Sequence, residues 1–184
     1  MNQLLSVQYL NAVYKSYPEY VTQQDMREIC QVGENFAYKL NKSKTIPYVL
    51  DYKKPGRCYR IRKTDILVYL YQHDSIFYLD HNLNQLLRKF FSNLLKNQPD
   101  VLRVIQVKNI FGFSTSMIYH RIFLKHIQAI RVYENWYIPQ NFLLDFLVSK
   151  NCLSLAHKPV MYKMLLDEFR LKYNLFLINN SEGR

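Results

Sequence analysis

The chain's 184 residues have room for one ordinary domain or two small ones, and 49% apolar content suffices for real cores. With 25 Lys/Arg against 14 Asp/Glu, the net charge of +11 and pI near 9.5 favour an anionic partner. Three cysteines without metal-ligand spacing (Cys30, Cys58, Cys152) argue against a disulfide framework or zinc site, and the lack of a leader-like start or membrane-length apolar run makes a cytosolic protein the expectation.

In chain order, residues 2–15 read as a short helix with Leu4, Leu5, Tyr9, Leu10 and Val13 on one side, ended by Pro18. Thr22 and Asp25 have the spacing of a capping box for a helix over 23–30. After a break at 31–34, a second helix is predicted over 34–42. Short β-type runs from Ile46 to Ile61 around Lys53-Lys54-Pro55-Gly56 predict a hairpin, and Thr64 caps a helix to about Tyr71. Leu79, Leu83, Leu86, Leu87, Phe90, Phe91, Leu94 and Leu95 recur at three- and four-residue intervals and predict one amphipathic helix over 77–97, stopped by Pro99. Helices over 104–111, 115–123 and 140–149 follow, with a hairpin over 129–138. A last helix after Pro159 carries Val160, Met161, Met164, Leu165, Phe169, Leu171 and Tyr173 as its apolar positions.

The order of elements in 20–70 therefore recurs in 100–150. An offset of 81 superposes Met26 on Val107, Ile29 on Ile110, Cys30 on Phe111, Val32 on Phe113 and Tyr38 on Tyr119. After the middle loop an offset of 77 puts Ile61 on Ile138, Ile66 on Leu143 and Leu70 on Leu147. The first copy thus carries extra residues around Lys53–Arg57. A long repeat present twice predicts two small domains: 1–75 and 100–150, with 76–99 a connecting helix and 151–184 a C-terminal helix and polar tail. Residues 20–70 hold ten Lys/Arg against five Asp/Glu, and residues 100–150 hold six against three. The cationic excess lies within the repeats, more in the first.

The phrases Tyr38-Lys39-Leu40, Ile46-Pro47 and Tyr59-Arg60-Ile61-Arg62-Lys63-Thr64-Asp65-Ile66 resemble the excisionase/MerR-type winged helix-turn-helix. Gly112-Phe113-Ser114-Thr115-Ser116-Met117-Ile118-Tyr119-His120-Arg121 and Asn135-Trp136-Tyr137-Ile138-Pro139 repeat the resemblance, which covers about 100 residues in two blocks. It implies a mainly α fold with small β-hairpin wings (α+β), built as two tandem winged helix-turn-helix domains. Departures are local. Gln31 replaces the turn glycine in copy one, with Gly33 two positions later, a weaker cap than Ser114. Copy two has Ile127-Gln128 for Ile-Pro, and its wing carries Glu134.

By that resemblance the partner is double-stranded DNA, read sequence-specifically. The recognition helices would present Glu34, Asn35, Tyr38, Lys39 and Lys42 in copy one, with Phe36, Ala37 and Leu40 more inward. Copy two would present Thr115, Ser116, Tyr119, His120, Arg121 and Lys125, with Arg121 as the guanine reader or phosphate clamp. Wing contacts would come from Lys53, Lys54, Arg57, Arg60 and Arg62, and from Arg131 and Tyr133; Trp136 is expected to pack between wing and core. Most of the tyrosines, Tyr38, Tyr69 and Tyr119 among them, stand at apolar periodic positions and read as core with a polar tip. The helix over 77–97 spans about 30 Å, close to the ~34–36 Å between successive major-groove faces. Its apolar stripe and that of the C-terminal helix either pack on their own domains or offer a homodimer contact, and a recombinase or other protein is a further candidate partner. His73, Asp74, Asp80 and His81 lack the spacing of a metal site. No phosphate-cradling glycine loop, paired-carboxylate site or nucleophile–base motif occurs, so neither enzymatic activity nor a cofactor is expected. The expected role is an excisionase-like architectural factor or a transcriptional regulator of a phage, plasmid or integrative element. The rival is a helix-turn-helix-derived interaction scaffold or anti-repressor that does not bind DNA.

Overall fold

A computed structural model describes residues 8–51, 58–173 and 175. The chain divides into two compact units, the first running to Asp80 and the second from His81. The first contains α1 (Gln8–Ser16), β1 (Tyr20–Val21), α2 (Gln23–Cys30), α3 (Glu34–Lys42), β2 (Val49–Asp51), β3 (Cys58–Arg62), α4 (Lys63–Gln72) and α5 (Ser75–Leu79). The second contains α6 (His81–Leu95), β4 (Val101–Arg103), α7 (Val104–Phe111), α8 (Thr115–Phe123), β5 (Ile130–Val132), β6 (Asn135–Pro139), α9 (Gln140–Leu147), α10 (Lys150–Leu153) and α11 (Val160–Lys172). It is a mainly helical α+β architecture with small antiparallel wings.

Each sheet has three strands, ordered β1-β3-β2 and β4-β6-β5. The strand before the first helix is an addition to the expected hairpins. Pairings superpose on the sequence offsets throughout: Val21↔Ile61 answers Leu102↔Ile138, Val49↔Arg60 answers Ile130↔Tyr137, and Leu50↔Tyr59 answers Arg131↔Trp136. The length difference between the repeats thereby falls between β2 and β3, whose intervening residues lie outside the described ones, against Tyr133-Glu134 between β5 and β6.

Local chemistry explains the helix ends. Thr22 Oγ1 accepts the Asp25 N–H at 3.2 Å while Asp25 Oδ2 accepts the Thr22 N–H at 2.8 Å, closing the capping box that starts α2. Left-handed residues end both first helices, Gln31 at φ 50 and Gly112 at φ 75. Glycine holds that conformation without a Cβ clash and glutamine does not. At Gly112 a Cβ would also meet the Pro159 and Met161 side chains at 3.3 and 3.2 Å. The helix starts differ as expected: Ser114 Oγ accepts the Met117 N–H at 3.2 Å, whereas Gly33 supplies no side-chain cap to α3.

The first core joins Val13 of α1, Val21 of β1, Met26, Ile29 and Cys30 of α2, Ala37 and Leu40 of α3, and Ile66, Tyr69 and Leu70 of α4. Tyr9 and Leu10 pack against it; Leu4 and Leu5 lie outside the described residues. Lys63 Nζ donates to the carbonyl oxygens of Tyr14 (2.6 Å) and Tyr17 (2.8 Å), which ties down the C-terminal end of α1.

Two helical expectations are corrected. The single helix over 77–97 is two, because Asp80 is extended (φ −96, ψ 114) between α5 and α6. Its carboxylate is buried and accepts the Tyr9 N–H at 2.9 Å, a contact 71 positions away that no local pattern encodes. Within its unit Leu83, Leu87, Phe90, Phe91 and Leu95 of α6 are buried and the helix packs on α9. Phe91 stacks on Tyr162 at 5.8 Å and meets Phe111 edge-on, while Phe113 lies between Tyr162 and Phe146. The aromatic set joins α6, α7, α9 and α11. Consequently α11 buries Tyr162, Leu166 and Phe169, and leaves Val160, Met161, Met164 and Leu171 exposed, contrary to the expected stripe.

Candidate nucleic-acid interface

In the first unit α2, the Gln31 turn and α3 form a helix-turn-helix. Ala37, Leu40 and Asn41 face inward; Asn35, Tyr38, Lys39 and Lys42 share the exposed side. Glu34 is exposed at the helix start, with its carboxylate 3.7 Å from the Arg27 guanidinium of α2. Phe36, expected to face inward, is 48% exposed. Asn41 is the opposite surprise: the residue is 1% exposed, and neither amide atom has a hydrogen-bond partner among the described residues.

In the second unit the corresponding exposed side of α8 carries Ser116, Tyr119 and His120, with Thr115 half-buried at the start. Tyr38 and Tyr119 are 45% and 46% exposed, so both leave the core role that their periodicity predicted, while Tyr69 keeps it. Arg121 does not join this face. It superposes on buried Leu40 and turns its Nη1 toward His126 Nδ1 at 3.1 Å, with a buried Nε that lacks a partner among the described residues. Five positions after Ser116, it lies about 140° around the helix from it, toward the packed side. Lys125 is off the helix, at φ 58 beyond the Leu124 cap. Phe123, 83% exposed, stands where the first unit has Lys42.

The wings differ in chemistry. Arg60 and Arg62 alternate along β3 and are both exposed on one strand face. The Arg60 guanidinium sits over the Tyr20 ring at 4.7 Å, held beside the neighbouring strand. Lys53, Lys54 and Arg57 lie outside the described residues. In the second wing Arg131 stands 5.9 Å over half-buried Trp136, and Tyr133 forms the tip at φ 53 with 93% of its surface exposed. All of β5 is exposed, Ile130 and Val132 included. Arg27 and Lys44 escaped the reading of motif phrases. The available signal was the offset of 81, which pairs Arg27 with Lys108 and Lys44 with Lys125.

A helix-turn-helix followed by an antiparallel hairpin and a closing helix is the winged helix-turn-helix architecture, a class of DNA-binding domain. Residues 20–74 match a family model described as a helix-turn-helix domain, a span that covers β1 through α4. No curated protein and no solved structure matches the chain. Among the described residues no helix is long and apolar enough to cross a membrane.

Proposed function

We propose that this chain is a sequence-specific double-stranded DNA-binding protein with two tandem readers, one in each unit. The observation that carries the proposal is the helix-turn-helix match over 20–74 together with the exposed Asn35, Tyr38, Lys39 and Lys42 of α3. Asn pairs with adenine and Lys with guanine in a major groove, while Arg60 and Arg62 suit a phosphate backbone or a narrow minor groove. Tandem use is supported by the matching strand pairings of the second unit. The chain binds rather than catalyses, with no cofactor, and serves as an excisionase-like architectural factor or transcriptional regulator of a mobile element.

A second reading, a protein-interaction role for the second unit, draws on exposed Phe123, which stands where the first unit has Lys42, and on the exposed Ile130, Val132 and Tyr133 of the second wing. Selection from a random duplex library with the full chain, followed by salt titration, separates the two. Two enriched half-sites and an affinity falling about 10³–10⁵-fold between 50 and 200 mM salt support tandem reading through roughly 6–10 phosphates. A single half-site, insensitive to substitution of Ser116 and His120, assigns the second unit to protein contacts. Absence of enrichment refutes the DNA reading.

A further inference from the structure

Superposed through their strand pairings and the two sequence offsets, the repeats hold identical residues at few positions. Ile29/Ile110, Ile46/Ile127, Ile61/Ile138, Leu67/Leu144 and Leu70/Leu147 lie in the cores or partly buried against them, where packing accounts for the identity. The remaining identities are on the surface: Tyr38/Tyr119 and Lys44/Lys125. The fold does not demand either.

The lysines are the more informative pair. Each follows the C-cap of its helix in a left-handed conformation, at φ 55 and φ 58. In the first unit the Lys44 N–H donates to the Asn41 carbonyl and the Thr45 N–H to that of Leu40. In the second, Lys125 and His126 repeat this toward Ile122 and Arg121. That double closure is a Schellman turn, whose left-handed slot is filled most cheaply by glycine and next by asparagine. Both units instead keep lysine there. Neither ammonium makes a hydrogen bond or ion pair among the described residues, so no polar contact there offsets the left-handed backbone. Each lysine also stands six residues past the exposed tyrosine of its helix. A phenolic hydroxyl in the middle of a helix and an ammonium just past its C-terminal end are both ordinary donors to phosphodiester oxygens.

We infer that Lys44 and Lys125 are backbone-phosphate contacts, one per unit, which share a footprint with Tyr38 and Tyr119. Both units then grip the duplex backbone in the same way, although their base-facing residues differ. This inference rests on the DNA-binding reading and adds that the second unit binds DNA itself.

The test uses the full chain with Lys44→Gly, Lys125→Gly and the double variant, each titrated with salt on one mixed-sequence duplex and melted thermally. Glycine relaxes the turn, so the variants fold and their melting midpoints rise. Each single substitution is expected to weaken binding about eightfold near 0.1 M salt, because one phosphate contact contributes about 0.9 to the log–log salt slope. The double variant loses both increments, and Lys→Arg at either site restores them. Unchanged affinity and slope in the variants overturn the inference while leaving wild-type DNA binding intact. A loss with Lys44→Gly alone overturns the claim for the second unit. Lowered melting points with unchanged binding make the lysines cations for the helix dipole and overturn it as well. A wild-type chain that binds no duplex at any salt overturns both this inference and the DNA reading.

Discussion

The buried amide of Asn41 gives the most direct test of the packing argument. The residue is 1% exposed, its Oδ1 and Nδ2 find no partner among the described residues, and the superposed residue of the second unit is buried Ile122. An unsatisfied buried polar group costs about 1–3 kcal/mol, and an apolar group of similar shape removes that cost. Leucine branches at the same carbon as asparagine, so Asn41→Leu changes chemistry with little change of outline. The expected gain is about 2 kcal/mol, and at roughly 4–8 °C per kcal/mol for a domain of this size the melting midpoint rises by about 8–16 °C. Circular dichroism melts of the full chain and of Asn41→Ala complete the assay. The alanine variant also discards the amide but loses side-chain volume, so it falls short of leucine. An Asn41→Leu chain no more stable than wild type refutes the reasoning, since it requires the amide to be satisfied in solution.

Two further outcomes follow from capping and burial. Gly33→Ser gives α3 the side-chain acceptor that Ser114 supplies to α8, and nothing lies within 4 Å of the new Cβ; a gain of about 1 kcal/mol is expected from the cap and the lost chain entropy, and a urea midpoint no higher than that of Gly33→Ala contradicts it. Burial in the first unit raises the Tyr9 and Tyr69 hydroxyls from 10.0 to about 12 and the Cys30 thiol from 9.0 to about 12. Because the folded state holds these protons more tightly than the unfolded one, their contribution to stability is complete below about pH 9 and is lost as pH rises toward 12. Tyrosinate absorbance followed with circular dichroism should show these groups ionising together with unfolding, and free titration near pH 10 in a folded chain contradicts the burial.

Much of the architecture was legible because local signals write local structure. The Thr22–Asp25 box, the left-handed residues ending α2 and α7, and three- and four-residue apolar spacing set α2, α3, α7 and α8 at the expected places. Comparing the two repeats also put the extra residues of the first between its paired strands β2 and β3. The outward set Asn35, Lys39, Lys42, Ser116 and His120 followed from the same periodicity.

What the tertiary structure alone decided depends on contacts distant in sequence. Strands as short as Tyr20–Val21 and Val101–Arg103 have no periodicity of their own and exist because β3 and β6 offer an edge. The break at Asp80 contains neither glycine nor proline and accompanies a carboxylate bonded to Tyr9. Arg121 turned inward, Phe36 and Tyr38 turned outward, and α11 buried the face bearing Tyr162 rather than the one bearing Met164. A helical repeat specifies which residues share a stripe; the neighbour that stripe meets settles which side is wet. Composition and spacing by themselves determined a basic chain whose order of elements in 20–70 recurs in 100–150, and packing determined which of its side chains are exposed.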